Sequence, residues 1–100
     1  MTYKKSAVRI EEIIAAGLVL AASKGYQQVS RADLAQAVGV AEGTVSLHFG
    51  TMAQFRRSLM RAAVHQRHLA VLAQGLATRD HEALKAPEAL RDAAANSLKA

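Results

Sequence analysis

Three glycines cut the first half of this chain into lengths that short helices fill. Gly25, Gly39 and Gly50 each stand where apolar side chains recurring every three to four residues stop. Ile10, Ile13, Ile14, Gly17 and Ala21 keep that spacing, which predicts a first helix over residues 6–23 with Ser6 as its cap. Lys24 then places a cation near the last carbonyls, and Gly25 ends the helix. Ser30, followed three residues later by Asp33, has the pattern of a capping box and opens a second helix. Its inward face is Leu34, Ala35 and Val38. Gly39 tolerates the backbone reversal that follows, Val40 turns inward, and a third helix is predicted over residues 42–49, stopped by Gly50.

The second half reads differently. Thr51 with Gln54 forms another capping-box pattern. Met52, Phe55, Leu59, Ala62, Gln66, Leu69, Ala73 and Leu76 then alternate in steps of three and four, the seam of a helix that packs on others. This predicts one continuous helix of about 40 Å, with Gly75 fraying or bending its end. Beyond residues 78–80 the chain resumes as helix, Pro87 suiting a first turn and Leu84, Leu90, Ala94 and Leu98 forming a thin apolar stripe. The fold expected is all-α, with five to six helices in a single compact domain. It divides into a helical head over residues 1–50 and a helical region over 51–100.

Composition narrows the function. Of 100 residues, 51% are hydrophobic and 22 are alanine, so the core is built from many small contacts. One proline and four aromatic residues argue against a β-sandwich. With no cysteine, disulfide scaffolds and Cys-based zinc fingers are excluded. Nine basic against four acidic side chains fall in residues 1–75, whereas residues 76–100 hold four of each sign. That asymmetry points to a polyanionic partner for the front of the chain. Lys4 and Lys5 before the apolar run at 13–22 imitate a signal peptide, but Glu11 and Glu12 sit directly before that run, which also reads as part of an amphipathic helix, and a cytoplasmic location is expected. No stretch is long enough to span a bilayer, so no membrane partner is expected. His65 and His68 share a helical face without a further ligand, and no metal or other cofactor is expected. No phosphate loop, HExxH or motif-defined nucleophile occurs, and the chain is not expected to be an enzyme.

Two short helices joined by a glycine turn are the ingredients of a helix-turn-helix. Ala35 is small enough for close approach of the two, and Val40 and Val45 fill the wedge between them. Glu42, Gly43, Thr44, Ser46, Leu47 and His48 are left to face outward, on a helix that fits a major groove about 12 Å wide.

With these anchors in order, residues 9–55 resemble the N-terminal DNA-binding domain of TetR-type transcriptional regulators. The matching stretches are Arg9-Ile10 through Ala15-Ala16 to Gly25-Tyr26, then Ser30 and Asp33-Leu34-Ala35, Gly39-Val40, Gly43-Thr44-Val45, His48-Phe49 and Phe55. The resemblance implies a homodimer on double-stranded DNA, each subunit placing its third helix in a major groove of a near-palindromic operator. By position, Thr44 and His48 contact phosphates or base edges, Lys4 and Lys5 form a basic arm, and Arg31 reaches a phosphate or base. Arg56, with Arg57 and Arg61, leans toward the backbone, and Leu47 toward a thymine methyl or a half-buried place in the helix.

Departures from the family pattern matter as well. Ser46 stands where tyrosine is usual, Met52 where lysine is usual, and Ala41 where a serine-type cap is common. Glu42 repels phosphates unless it accepts from a cytosine amino group. Only about half the chain follows the head, too little for an enclosed ligand cavity, so no small-molecule inducer is expected. Self-association is then assigned to Leu59, Ala62, Gln66, Leu69, Ala73, Leu76, Leu90 and Leu98. The alternative reading is a protein-interaction module whose degenerate helix-turn-helix binds a transcription or replication protein.

Overall fold

A computed structural model describes residues 5–98; Lys4, expected in the basic arm, lies outside them. Seven α-helices follow one another among the described residues, with no strand. They are α1 (Ser6–Lys24), α2 (Arg31–Val38), α3 (Glu42–Phe49), α4 (Met52–His65), α5 (Leu69–Ala77), α6 (His81–Leu84) and α7 (Glu88–Ser97), and a 3-10 turn at Tyr26–Gln28 links α1 to α2. The all-α class is as expected, but the count is seven rather than five or six.

α1 buries Ile13, Ile14, Gly17, Leu18 and Ala21, while Ile10, expected inward, is exposed. Ser6 is not its cap. Lys5 occupies that position and makes no side-chain bond there. Gly17 is a contact point: a Cβ there would lie 2.9 Å from Phe55 Cζ and 3.0 Å from Leu59 Cδ1. The missing side chain lets α1 lie directly on α4. Phe55 also receives Phe49 edge-on, with ring centres 5.1 Å apart, which ties the end of α3 to the same core.

The long helix expected from Met52 to Leu76 is two helices. α4 ends at His65, and Arg67 takes a left-handed φ of 57°. The His68 amide donates to Ala63 O at 2.8 Å and the Arg67 amide to Val64 O at 3.2 Å. This is the paired bonding of a Schellman ending, with arginine where glycine is usual. His68 then caps α5, its Nδ1 accepting the Val71 amide at 3.3 Å. The turn re-aims α5, so α4 and α5 pack on each other instead of running on as one rod.

α5 closes the same way. Arg79 has φ 57°, the Asp80 amide donates to Gly75 O at 2.8 Å, and the Arg79 amide donates to Leu76 O at 3.2 Å. Gly75 neither frays nor bends the helix. It is buried, and a Cβ there would meet Met60 Cε at 2.6 Å and Ala83 Cβ at 2.8 Å. α7 lies along α5, burying Leu90 and Ala94 and leaving Leu84 and Leu98 of the expected stripe exposed.

The buried side chains form one continuous cluster from Ile13 to Ala94 that crosses the head and the helices after it. Leu59, Ala73 and Leu90, assigned to self-association, are therefore part of the chain's own core. Ala62, Leu69 and Leu76 are half-buried against that cluster. Gln66 and Leu98 are exposed.

Candidate nucleic-acid interface

Local chemistry sets the geometry of α2 and α3. The Asp33 amide donates to Ser30 Oγ at 3.0 Å, and the Ser30 amide donates to Asp33 Oδ2 at 3.0 Å, so the expected capping box is complete. Lys24 Nζ donates to the same Asp33 Oδ2 at 2.7 Å, joining the end of α1 to the start of α2. That bond, with those from Ser30, lowers the Asp33 carboxyl to about 2. Lys24 is thus occupied within the fold. Gly39 ends α2 at φ 80° and ψ 39°, a left-handed conformation that suits glycine. Ala35 O accepts both the Gly39 and the Val40 amides, at 2.8 and 3.0 Å, and so closes the turn.

α3 is held by one fully buried side chain, Val45. Leu47, two residues on and so about 200° around the helix, is 79% exposed. Glu42 and Gly43 are exposed, and Thr44, Ser46 and His48 are half-buried. Ser46 Oγ turns back to donate to Glu42 O at 3.4 Å. Ala41 provides no side-chain cap, so the first amides of α3 have no side-chain acceptor there.

Arg31 stitches the unit together. Its Nη2 donates to Gly50 O at 3.3 Å, linking the start of α2 to the turn between α3 and α4. This structural bond was not visible in the sequence, since it spans 19 residues. Gly50 itself has φ 75° and ψ −126°, and a Cβ there would strike the Gln54 carboxamide. That carboxamide accepts the Thr51 amide at 2.8 Å while the Gln54 amide donates to Thr51 Oγ1 at 3.1 Å, completing the second expected capping box.

Met52, where the resemblance implies a lysine, is half-buried against the core. The arginines of α4 diverge in role. Arg61 Nε donates to Glu82 Oε1 at 2.9 Å and is occupied by α6. Arg56 and Arg57 line a cleft against Tyr26 and the start of α6, away from the cluster on α3. Lys5 is exposed at the start of the described residues. The structure therefore brings together Arg31, Glu42, Gly43, Thr44, Ser46, Leu47 and His48 on adjoining elements. It leaves Lys5 and Arg56 on others.

Among the described residues no helix is long and apolar enough to cross a membrane, and no group of three or more His, Cys, Asp or Glu side chains is positioned to hold a metal ion.

Residues 13–59 match the family described as bacterial regulatory proteins, tetR family. No curated protein matches, and no solved structure does. The matched segment begins at the first buried residue of α1 and ends at Leu59 in α4, so it contains the capping boxes, the Gly39 turn and α3. Residues 13–59 are a TetR-type N-terminal helix-turn-helix domain, that of a DNA-binding transcription regulator.

Proposed function

We propose that the chain is a sequence-specific repressor that binds a near-palindromic operator as a homodimer, with α3 in the major groove. One observation carries this reading: α3 is anchored through Val45 while Leu47, on its opposite side, is 79% exposed. A large apolar side chain in that position suits a thymine methyl group. Thr44 and His48 flank it and reach phosphates, and the uncapped amides at the start of α3 add donors. Arg31, anchored on Gly50 O, presents the rest of its guanidinium to the backbone. Glu42 accepts from a cytosine amino group. Lys4 and Lys5 supply a basic arm.

Residues 51–100 carry self-association, using what the chain's own core leaves accessible. Leu98 is 69% exposed and Gln66 is at the surface, beside half-buried Ala62, Leu69 and Leu76. The protein acts in the cytoplasm.

Selection of bound sequences from a random duplex pool, followed by affinity measurements across a salt series, tests the reading. The expected result is an enriched site with two inverted half-sites one helical turn or a multiple apart. Affinity should fall steeply with salt as condensed counterions are released. A flat salt dependence with no enriched site overturns the reading and favours the protein-interaction module. Two observations support that second reading: Ser46 Oγ is turned back onto its own helix, and Met52 is packed inward.

A further inference from the structure

Six glycines occur in the chain, and five have a reason within the fold. Gly25, Gly39 and Gly50 hold positive φ in turns, and Gly17 and Gly75 lie where a Cβ would strike a neighbouring helix. Gly43 has neither reason. It sits in the first turn of α3 without a positive φ, it is exposed, and a Cβ built there would meet no atom within 4 Å. The same turn is already without a side-chain cap. Glycine weakens a helix relative to alanine, yet no contact among the described residues uses the missing side chain.

Its place on α3 says what does. Successive residues of an α-helix are about 100° apart, so Gly43 and Leu47 lie about 40° from each other, both on the side opposite Val45. Val45 is fully buried and Leu47 is 79% exposed. The outward strip of α3 thus carries a notch at Gly43 and, about 6 Å further along, a projecting apolar side chain at Leu47.

We propose, on the operator-binding reading above, that Gly43 sets the depth at which α3 enters the major groove. Its bare backbone rests against the base edges, and Leu47 thereby reaches the methyl group of a thymine. Any other residue at 43 adds a Cβ about 1.5 Å out from the helix, toward the groove floor. A gap of about 0.5–1 Å already forfeits a quarter to a half of a dispersion contact, so lifting α3 by that much takes Leu47 off the methyl. Gly43 is then a specificity determinant without a side chain of its own.

The test compares Gly43→Ala with the unsubstituted chain on three duplexes. They are the operator selected from a random pool, the same operator with deoxyuridine for thymine, which removes only methyl groups, and random sequence. Gly43→Ala is expected to unfold at the same temperature or a few degrees higher. It should bind the operator about fivefold or more weakly. Deoxyuridine should weaken the unsubstituted chain and make little further difference to Gly43→Ala, whose methyl contact is already lost. Affinity for random duplex should change less, since phosphate contacts carry it. A lower unfolding temperature overturns the proposal, because the fold then needs the glycine. So does an equal loss on random duplex, or a deoxyuridine penalty as large in Gly43→Ala as without it. Operator affinity unchanged in Gly43→Ala overturns the proposal alone, whereas an unsubstituted chain that enriches no operator overturns the binding reading and the proposal with it.

Discussion

Gln74 grips Tyr26 across 48 residues of sequence, its Oε1 accepting the Tyr26 amide at 2.8 Å. Its Nε2 donates at 2.8 Å to Ala21 O, the same carbonyl that accepts the Gly25 amide. One side chain of α5 thus satisfies both a carbonyl near the end of α1 and the first amide of the turn beyond it. The tyrosine ring continues the link, its hydroxyl 2.7 Å from Thr78 Oγ1. The head is in this way bonded to α5 by polar groups as well as by the shared core.

Gln74→Leu removes both bonds and leaves the part-buried Tyr26 amide unpaired, while Ala21 O keeps the Gly25 amide. The expected loss is about 1–3 kcal/mol of unfolding free energy, measured by urea denaturation. An unchanged midpoint would mean water replaces the carboxamide at no cost.

The capping boxes, the Gly39 turn and the start of every head helix were legible in the sequence because each is decided within about four residues; only the cap of α1, Lys5 in place of Ser6, was not. Ser30 with Asp33 and Thr51 with Gln54 need no tertiary partner to do their work. The Gln74–Tyr26 bond and the Arg31–Gly50 bond were not legible, because partners 48 and 19 residues apart leave no local pattern. The break after His65 was missed for another reason. The three-four spacing of apolar residues runs through it, and arginine stands where glycine would have signalled the stop. Of the interface, the outward strip of α3 could be read from periodicity. That Arg56 shares a cleft with Tyr26 could not, since α6 forms another of its walls.

Arg67 and Arg79, both at φ 57°, hold a left-handed conformation that costs a residue with a side chain roughly 1–2 kcal/mol. Both are exposed. Arg67→Gly and Arg79→Gly should therefore each stabilise the fold, by about 1 kcal/mol once glycine's greater freedom in the unfolded chain is offset. Thermal unfolding of the two variants and their double mutant checks this. A destabilisation would show that the arginine side chains contribute contacts outweighing the strain.

Gly75→Ala tests the close packing of α4, α5 and α6. The added methyl meets Met60, which can swing its terminal carbon, and Ala83 Cβ, which moves only with the backbone of α6. A loss of about 1–3 kcal/mol is expected despite alanine's better helix propensity. A gain in stability would mean α6 yields freely, and amide exchange across His81–Leu84 would then show it.

Asp33 sets a pH dependence whose direction follows from its partners. The Lys24 hydrogen bond, then the Ser30 backbone and side chain, lower its carboxyl to about 2 from 3.8. A carboxyl depressed in the folded state contributes stability above its unfolded value, lost as pH falls through the interval from about 4 to about 2. Lys24→Met should raise the Asp33 value toward 3.8, read from its carboxyl carbon by NMR. Asp33→Asn should reduce the acid sensitivity of folding in that interval. If Lys24→Met leaves the titration in place, the Ser30 bonds alone hold the carboxylate.

Leu47→Ala separates the fold from the function of α3. Because Leu47 is 79% exposed, truncation should change unfolding free energy by no more than about 0.5 kcal/mol. If the side chain lies against a thymine methyl in the major groove, affinity for the selected site should fall by about 1 kcal/mol, roughly fivefold. Preference at one base position should relax with it. Affinity for random duplex should then stay as it was, because contacts to phosphate carry that binding and an apolar side chain offers phosphate no hydrogen bond. If Thr44 lies on the phosphate side of the helix, as proposed, Thr44→Ala should weaken both kinds of binding together. Equal losses for Leu47→Ala on selected and random duplex would move Leu47 out of the groove and the base-reading face of α3 to Glu42 and Gly43.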